Sequence, residues 1–533
     1  MSIYKKLSLA IFIFFVCQAI SYSQSIEEVS YSIPKTVYFG GEKVWISGQV
    51  TQDESEEKSI ILYAELINRY NESVAIAKIP LEDSQSFNFL QLPQDLPSDN
   101  YLLRVFTRIS PHQSLEKGIS QQFITVFNRL APPDVVGERE EFDFENPNSS
   151  SKIKITSNEL NPGENLSVDI SAITGVEEIS ISVLNPFLAN QDKIESSMIY
   201  ESIDSKNILP ELFGHIIEAK VEGESLDTTQ LYYVSIHGEK SALLTDRPDT
   251  NGSLFFDAGG MKNWKYLVAQ ADGNKSLIDF NLVSSAPKTH FKDSFSFPVL
   301  VISPADEPFL KELLKGGQIE GYFVHEYEAY NDPVVTGLVE DRVYELDDYT
   351  RFETVETVIK EYVPEVSVKT VQKKKEFRAI NEVGNFSFDS NPLMLIDAMP
   401  VFDSDELAKF DPKGLKTLEI LTRTFYLNEE EFPGVLSFSS YKNDFGGFQI
   451  PTNGIYVDYE GIQPKIASAN SLFDSPDKED QIMDWRTILY WSKSQKSTPI
   501  SNSFDIKVPE IKSKFMISVK SNGEIFTKLF EVK

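Results

Sequence analysis

Cysteine is almost absent from this chain, since its 533 residues contain only Cys17. That residue lies in the N-terminal apolar run described below, so the rest of the chain contains no thiol. This composition excludes a disulfide framework, thiolate metal sites and thiol catalysis beyond that run. Phe15 and Val16 precede the cysteine where a lipoprotein signal needs small residues, which disfavours lipid attachment.

Long apolar runs are also missing, with one exception at the N-terminus. Lys5 and Lys6 precede the apolar residues 7–16, and residues 21–23 (Ser-Tyr-Ser) form a small-x-small pattern before Gln24. This arrangement predicts a secretory signal peptide over residues 1–23. Because no other stretch approaches the ~20 apolar residues of a membrane helix, we expect no transmembrane segment.

Basic residues are scarce relative to acidic ones. The 50 Lys and Arg residues stand against 81 Asp and Glu, which gives a formal net charge of −31. Such a charge repels nucleic acid and anionic membrane surfaces, and it favours solubility or a cationic partner. Hydrophobic residues make up 41% of the chain, and its length suits three or four domains of about 100–200 residues.

Motifs of known catalytic chemistry are missing as well. The chain has no Gly-x-Ser-x-Gly elbow, phosphate-binding loop or dinucleotide fingerprint. His325 and Glu326 come nearest to a zinc-protease helix, but Ala329 stands where the second histidine ligand is required. The remaining histidines are dispersed: His112, His215, His237 and His290. We therefore predict a protein that is not an enzyme, with no catalytic, cofactor-binding or metal-binding residues and no cofactor.

Two residue classes leave other binding functions open: calcium binding by acidic clusters and sugar binding by tryptophans. Acidic clusters offer oxygen ligands for calcium, although none has the spacing and central glycine of an EF-hand loop. These clusters are residues 53–57, 347–348, 403–405 and 429–431. Tryptophans offer stacking surfaces for sugars, although positions in or beside alternating strands favour burial. They are Trp45, Trp264, Trp485 and Trp491.

Short alternating strands fill residues 24–130 and predict a β-sandwich. The clearest strands are residues 44–50, 60–67 and 101–108. Residues 38–46 (YFGGEKVWI) resemble the opening motif of macroglobulin-type domains, with Gly40 in place of the usual proline. The resemblance implies a macroglobulin-like sandwich, while the lack of cysteine excludes the thioester of that family.

The same pattern recurs after residues 131–151, a linker rich in Pro, Glu and Asn. Residues 158–170 repeat the turn-Gly-Glu-apolar motif, and residues 177–184 alternate as a strand. We therefore predict a second sandwich region over residues 152–208. Tandem sandwiches of this kind usually serve as spacers or binding surfaces.

A third β-module is predicted over residues 209–303. Its strands are expected at residues 215–221, 230–236 and 253–257, with a turn at 249–252. The order of the segments GHIIEAKV and TNGSLFF is similar to the carboxypeptidase-regulatory-like domain that often precedes bacterial plug domains.

Helical spacing begins after residue 304, in a helical connector predicted over residues 304–345. Residues 307–314 suit a helix that Asp306 can cap. In residues 350–362 apolar side chains recur three and four positions apart, which places one stripe on a helix face. The stripe comprises Phe352, Val355, Val358, Ile359 and Tyr362. Core packing is its expected role, and peptide binding is the alternative.

Residues 391–445 carry the most specific pattern. An apolar strand at 393–396 ends at Asp397, a short helix leads to a strand at 417–421, and Pro433-Gly434 precede a strand at 435–439. This order resembles the plug domain of TonB-dependent outer-membrane receptors, here over residues 346–448. Only 533 − 445 = 88 residues follow, too few for the family's 22-stranded barrel. The resemblance therefore implies docking onto a barrel protein supplied in trans, and the alternative is strand addition at the sheet edges of the sandwiches.

The sequence departs from the plug family at two points. Ala398 replaces the glycine that follows the aspartate, and residues 425–432 are acidic where the family has a Y-G-S-R loop. No TonB-box-like segment is identifiable near Gln24. These departures disfavour direct energy coupling through TonB and favour reuse of the fold as an interaction domain.

The remaining residues, 449–533, alternate again and predict a small C-terminal β-domain. Its strands are expected at 454–459, 487–491, 515–520 and 525–532. The predicted fold class is thus mostly β and multidomain: tandem macroglobulin/Ig-like β-sandwiches, then an α+β plug-like domain and a small C-terminal β-domain.

Together the resemblances imply a non-enzymatic envelope protein, exported to the periplasm or outer membrane of a Gram-negative bacterium. It is expected to act as a scaffold or accessory subunit that binds an outer-membrane transport, secretion or assembly complex. The expected partner is a protein in the outer membrane, and nucleic acid is not expected. Two alternatives stay open: a surface carbohydrate-binding protein, and a macroglobulin-like protease decoy with residues 131–151 as its bait loop.

Overall fold

The computed structural model describes most of the chain beyond its N-terminus. The described residues are 26–52, 58–133, 135–137, 141–144, 151–206, 208–223, 226–277, 279–323, 329–330, 338–466, 483–494 and 500–533. The predicted signal peptide, the acidic cluster 53–57 and His325 lie outside them. The chain is mostly β, with 45% strand and 12% helix in many sheets, as the sequence predicts. Among the described helices, none has the length and apolarity needed to cross a membrane.

Two sheets pack face to face to form the first sandwich. The smaller sheet contains, in order, Glu28–Ser32, Lys43–Thr51 and Gln85–Gln91. The larger sheet contains, in order, Val37–Phe39, Ile119–Phe127, Asp99–Phe106, Ile61–Ile67 and Ser73–Pro80. Alternating side chains such as Val44, Ile46, Leu62 and Leu103 meet between the sheets and are buried. Strand periodicity of two thus places every second residue in this core.

The second sandwich combines two distant parts of the chain. Its smaller sheet contains, in order, Lys154–Ile155, Asn165–Asp169 and Ser503–Lys507. Its larger sheet contains, in order, Glu159–Leu160, Glu524–Val532, Lys514–Ser521, Val176–Val183 and Ile488–Lys493. Val176–Val183 therefore lies between two C-terminal strands, with Ile181 opposite Ile517.

This pairing contradicts the prediction of a separate C-terminal domain over residues 449–533 and a self-contained second sandwich over 152–208. Residues 152–208 supply only two long strands to the sandwich, which is too few to cover both apolar faces. The C-terminal strands complete both sheets and share one buried core with Leu166, Val168 and Ile179. The alternating pattern located these strands but carried no information about their partners.

The third sandwich has four strands in one sheet and three in the other. The four-stranded sheet contains, in order, Ser241–Asp246, Tyr232–Gly238, Trp264–Ala271 and Ile455–Asp458. The three-stranded sheet contains, in order, Ser253–Asp257, Ile216–Val221 and Phe280–Val283. Ile455–Asp458 was predicted in the C-terminal domain, but it pairs with Trp264–Ala271 instead. Val234, Leu254 and Leu267 lie in the core.

An α/β module follows, built on a five-stranded mixed sheet. The sheet contains, in order, Arg342–Glu345, Leu415–Leu421, Val435–Ser440, Leu393–Ile396 and Met399–Pro400. Leu393–Ile396 and Val435–Ser440 are parallel. Two helices, Val355–Tyr362 and Ser404–Lys409, pack on one face. Further strands form a three-stranded sheet (Val366–Val371, Lys374–Asn381, Phe386–Ser387) and a hairpin (Phe425–Leu427, Glu430–Phe432).

The predicted apolar stripe forms the buried side of the helix Val355–Tyr362. The hydroxyl oxygen of Thr354 accepts the Thr357 N–H at 3.3 Å and caps the helix start. Val355, Val358 and Ile359 are buried in the core of the α/β module, and Phe352 and Tyr362 pack against it. Core packing therefore accounts for the stripe.

The predicted connector divides between two modules. The helix Glu307–Phe323 packs Phe309, Leu310 and Leu313 against the core of the second sandwich. Asp306 accepts the Ser303 N–H at 2.8 Å, so its carboxylate caps the 3-10 turn Pro304–Asp306 that leads into the helix. Arg342–Glu345, predicted in the connector, is an edge strand of the α/β module.

The remaining elements are short. They comprise the helices Ser110–Gln113, Leu115–Gly118 and Ser196–Ile199 and the 3-10 turns Asp272–Asn274, Leu346–Asp348, Pro412–Gly414 and Phe445–Gly447. Three strand pairs complete them: Tyr200–Ile203 with Thr289–Phe291, Val135–Val136 with Val301–Ile302, and Ala329–Tyr330 with Lys465–Ile466.

Candidate functional site

The described histidines are separated from one another. His215 and His237 are buried in different places, and the ring of His237 contacts the hydroxyls of Ser235 and Ser241. His290 is exposed and lies 2.7 Å from a carboxylate oxygen of Asp204. Over the described part of the chain, no group of three or more His, Cys, Asp or Glu side chains is arranged to hold a metal ion.

The described acidic clusters are used within the protein. Asp403 caps the helix Ser404–Lys409 by accepting the Asp405 N–H at 2.9 Å. Asp347 pairs with Arg351 at 2.6 Å, and Glu430 pairs with Arg247 at 2.6 Å. Each of these carboxylates has a local structural role, so the structure offers no support for calcium at these positions.

Three of the four tryptophans are buried. Trp45, Trp264 and Trp491 expose 5% of their surface or less, and Trp485 is partly buried against the core of the second sandwich. Stacking on a sugar requires an open aromatic face. Burial therefore removes this support for carbohydrate binding at Trp45, Trp264 and Trp491, and leaves it at Trp485 alone among the four.

A buried polar cluster joins the first sandwich to the third, and we call it the His215 joint. The Tyr63 hydroxyl of the first sandwich lies 2.9 and 2.8 Å from the two carboxylate oxygens of Glu211. Nδ1 of His215 lies 2.7 Å from the same carboxylate, and Nε2 lies 2.6 Å from the Tyr459 hydroxyl. These partners fit a neutral ring with its proton on Nδ1 and Nε2 accepting from Tyr459.

Charged groups extend the His215 joint. Arg108 of the first sandwich donates to the Ile216 carbonyl at 2.6 Å and to the Glu218 carboxylate at 2.7 Å. Lys206 lies 2.7 Å from the same oxygen of Glu218. Arg108 and Glu218 are both buried, so each charge depends on its partner for compensation.

Burial governs the protonation of this joint. It lowers the pKa of His215 to about 4, against the opposing effect of Glu211. It also lowers the pKa of Lys78, which lies above the Tyr459 ring, to about 8. Burial alone would raise the pKa of Glu211, but the hydrogen bond from His215, the charge of Arg108 and the hydrogen bond from the Ile216 N–H bring it below its ordinary value. The joint thus holds a neutral histidine beside an ionised carboxylate.

A second polar cluster, the Arg104 joint, attaches the strand Thr289–Phe291 and its neighbours to the first sandwich. Arg104 donates to the Glu65 carboxylate at 2.6 Å and to the Thr289 hydroxyl at 2.9 Å. It also donates to the Pro287 carbonyl at 2.9 Å. A planar guanidinium can satisfy these separate acceptors at once, which lysine cannot.

A third cluster, the Lys35 joint, connects the first and second sandwiches. Lys35 and Glu42 form a buried ion pair, and Lys35 also donates to the Thr487 hydroxyl at 3.0 Å. The Asn185 amide donates to the Thr36 carbonyl at 3.0 Å. All three joints depend on buried polar partners brought together by the tertiary fold.

A cleft of about 560 Å³ separates the third sandwich from the α/β module. Its floor is the face of the five-stranded sheet opposite the helices, and its wall is the edge strand Ser241–Asp246. Leu393, Leu395 and Val435 form an apolar part of the floor. Ser437, Ser439 and Glu419 form a polar part.

Two asparagines of the α/β module bind the ends of the edge strand. Asn443 donates its amide to the Gly238 carbonyl at 2.7 Å, and its side-chain oxygen accepts the Ser241 hydroxyl at 2.8 Å. Asn428 donates to the Thr245 carbonyl at 2.7 Å. The middle of the edge strand therefore lies beside the cleft, between two fixed points.

Glu419 contributes a negative charge to this cleft without an ion-pair partner among the described residues. Burial raises the pKa of the Glu419 carboxyl, and the nearby Glu340 and Glu345 raise it further. Among the described residues, no basic side chain forms an ion pair with any of these three carboxylates. The arrangement is suited to binding a cationic group from outside.

The sequence did not indicate that any of the joint or cleft residues belongs to a binding site. Glu65, Lys78 and Arg104 stand in strands whose pattern is equally consistent with one solvated face. They are buried because a distant segment covers that face, and no local signal in the sequence could have revealed this. The floor strands Leu393–Ile396 and Val435–Ser440 were predicted almost to the residue.

No protein-family model and no curated protein matches this chain. Its structure is similar to α-2-macroglobulin of Salmonella reacted with methylamine, at 8% identity and a TM-score of 0.16, covering 95% of this chain and 23% of that one. The trypsin-activated α-2-macroglobulin of Escherichia coli gives the same values. This chain thus spans under a quarter of the length of these proteins. A TM-score this low does not establish a shared fold. The macroglobulin resemblance therefore rests on the motif at residues 38–46 and its repeat at residues 158–170.

Proposed function

We propose that this protein is a non-enzymatic, exported envelope protein that acts as a scaffold or accessory subunit. In this proposal its α/β module and sandwiches bind an outer-membrane transport, secretion or assembly complex. The partner is a barrel protein supplied in trans, as the resemblance of residues 346–448 to a receptor plug implies.

The observation that carries the proposal is the half-covered sheet of the α/β module. Helices bury one face, where Leu418, Ile420 and Phe438 pack. The opposite face keeps an open cleft and exposes Val343, which is 47% accessible. Leu243, Phe425 and Phe432 pack on the apolar part of this face, so only the cleft and the edge at Val343 stay open. A partly covered sheet face with apolar and charged groups is a natural contact surface for another protein.

The three joints support a scaffold role. Because each joint buries charged or polar partners from different modules, moving one module would leave those groups unpaired at a cost of several kcal/mol. The modules therefore present their outer surfaces in a fixed arrangement. A fixed arrangement lowers the entropy cost of binding a large partner.

The alternative of a protease decoy requires a cleavable bait in residues 131–151. Val135–Val136 of this segment pairs with Val301–Ile302, and the Phe144 carbonyl accepts the Thr527 hydroxyl at 3.0 Å. These contacts tie the segment to two other parts of the fold. Limited proteolysis that leaves residues 131–151 intact, while other loops are cut, would rule the decoy out.

Site-specific photocrosslinking in native membranes tests the proposed scaffold role. A photoreactive amino acid at Val343 lies on the open sheet face, whereas one at Val383, 91% accessible on the turn after Lys374–Asn381, serves as the matched control. We expect an adduct with an outer-membrane protein from position 343 and a weaker one or none from position 383. Purification of an uncrosslinked monomer from both variants, with no outer-membrane protein attached, would contradict the proposal.

A further inference from the structure

The strand Ser241–Asp246 is the end strand of its sheet, so one of its edges has no strand partner among the described residues. It pairs only with Tyr232–Gly238, in antiparallel register. In such a pair, alternate residues direct both backbone groups toward the partner strand, and the residues between them direct both outward. Two observations decide which residues point outward.

The first observation is at the hairpin turn, where the Gly238 N–H donates to the Lys240 carbonyl at 3.1 Å. Even-numbered residues of the edge strand therefore face the neighbouring strand. The second is at the other end, where the Thr245 carbonyl accepts the Asn428 amide and so points away from the sheet. Both place the N–H and C=O of Leu243 on the open edge, and no described residue bonds to either group.

Leu243 also lines the cleft, beside Leu393, Leu395 and Val435 of its floor. The open backbone groups and the apolar floor are thus adjacent. Unpaired strand edges are templates for strand addition, and natural proteins usually blunt or cover them. Here Asn443 and Asn428 hold the two ends of the strand and leave its middle open.

We propose that an extended segment of a partner protein adds to this edge as a fifth strand and lies in the cleft. Its backbone pairs with Leu243, its alternate apolar side chains lie over Leu393 and Leu395, and a basic side chain meets Glu419. This inference rests on the proposed function and names the surface and the kind of segment through which a partner is held.

The negative charge at Glu419 indicates that the partner segment carries a basic side chain. Glu419 lies among Glu340 and Glu345 without a basic partner in the described chain, and burial makes its charge costly. An arriving lysine or arginine relieves that cost, whereas an acidic side chain would add repulsion. Lys240 and Lys442 also line the cleft and mark the side on which a basic residue of the segment is disfavoured.

Fluorescence anisotropy with labelled peptides of eight residues tests the binding. The probes alternate valine and threonine and carry lysine at the first, middle or last position. Matched controls carry glutamate in place of lysine, or backbone N-methyl groups on alternate residues that block strand pairing. We expect at least one lysine probe to bind, with at least tenfold weaker binding of its glutamate and N-methyl counterparts.

Two substitutions at one position separate the backbone contact from packing. Leu243→Pro removes the outward N–H without removing a bond to the neighbouring strand, because proline is tolerated on the open side of an edge strand. Leu243→Ala keeps the N–H and loses side-chain packing. We expect about tenfold weaker probe binding for Leu243→Pro than for Leu243→Ala. Glu419→Gln should weaken the lysine probe similarly, while the exposed Glu524→Gln should not.

Hydrogen exchange of the unsubstituted protein keeps the test independent of how the variants fold. Saturating probe should slow exchange in the peptide that contains Leu243 at least tenfold, and should leave Glu524–Val532 unchanged. Failure of every lysine probe to bind, or binding without protection at Leu243, overturns this inference. If position 343 of the otherwise unsubstituted protein gives no crosslink to an outer-membrane protein, the proposed function is overturned. If that crosslink forms and also persists in the Leu243→Pro variant, only this inference is overturned.

Discussion

The hydroxyl of Tyr63 lies 2.8 Å from the carboxylate of Glu211, a residue 148 positions later in the chain, and both are buried. This contact connects the interior strand Ile61–Ile67 of the first sandwich to the segment that enters the third. A buried carboxylate that loses a hydrogen-bond donor costs more than the bond itself contributed.

Removing the Tyr63 hydroxyl should therefore destabilise the junction between the two sandwiches. Tyr63→Phe is expected to lower the free energy of unfolding by about 1–3 kcal/mol. Urea unfolding followed by tryptophan fluorescence measures the change. Tyr70→Phe is the matched control, because Tyr70 is 76% exposed, and a loss of similar size there would show that the Glu211 contact is not responsible.

Acidification should weaken the His215 joint. The pKa of His215 is lowered by burial to about 4, while the unfolded chain titrates near its ordinary value of 6.5. Between these values the unfolded state binds a proton that the folded state does not, so this part of the stability is complete above pH 6.5 and falls toward pH 4. The loss amounts to about 3 kcal/mol at most.

Urea unfolding at several values between pH 7 and pH 4 checks this dependence. His215→Gln should reduce the slope of stability against pH in that window, even though the variant is less stable at pH 7. His237, whose pKa burial lowers to about 3, contributes in the same direction and accounts for part of the remaining slope. A slope that stays the same in His215→Gln as in the unsubstituted protein would contradict the assignment.

The turn after the strand Leu393–Ile396 should be improved by glycine. Asp397 and Ala398 have φ values of 48° and 66°, the left-handed region required by a two-residue hairpin turn. The Asp397 carboxylate accepts hydrogen bonds from the N–H groups of Ser440 and Phe445, both at 2.7 Å. The methyl side chain of Ala398 cannot form such bonds to offset its backbone strain. Ala398→Gly is expected to raise stability by about 1 kcal/mol.

Thermal or urea unfolding measures this gain, with Ala408→Gly as the opposing control. Ala408 is buried in the helix Ser404–Lys409, where glycine should destabilise by about 1 kcal/mol or more. A decrease in stability for both variants would mean that the turn tolerates alanine without strain.

Because the second sandwich shares one core, a substitution in a C-terminal strand should affect a strand far earlier in the sequence. Ile517 is fully buried and lies opposite Ile181 on the neighbouring strand. Ile517→Ala should cost about 2–5 kcal/mol and increase amide exchange in Val176–Val183 as well as in Lys514–Ser521. Ile525→Ala, at a site 41% exposed, should change neither by a comparable amount. Unchanged protection of Val176–Val183 in Ile517→Ala would contradict the pairing.

Local patterns predicted individual strands well and long-range partners poorly. The alternation in residues 253–257 and the apolar run at 393–396 matched Ser253–Asp257 and Leu393–Ile396 to the residue. Alternation reports which side chains face a core, and it contains nothing about which strand lies alongside. Residues 487–491 and 515–520 were therefore recognised as strands but placed in the wrong module.

Less of the candidate site than of the fold could be predicted from the sequence. The floor of the cleft follows from the predicted strands around Leu395 and Val435. Its wall does not, because Ser241–Asp246 belongs to another sandwich and meets the α/β module through Asn428, Asn443 and the packing of Leu243. Asparagine in a loop is ordinary turn chemistry, and its partner is fixed only by tertiary structure.

The second sandwich also has a consequence for the order in which the protein acquires its structure. Val176–Val183 must wait for strands made roughly 300 residues later, and closing such a loop costs about 3 kcal/mol more than closing one of ten residues. The first sandwich and the intervening modules can form while the chain is still being made. Until Lys514–Ser521 arrives, Ile179 and Ile181 remain uncovered, so the second sandwich is the step at which an incomplete chain is most exposed to aggregation.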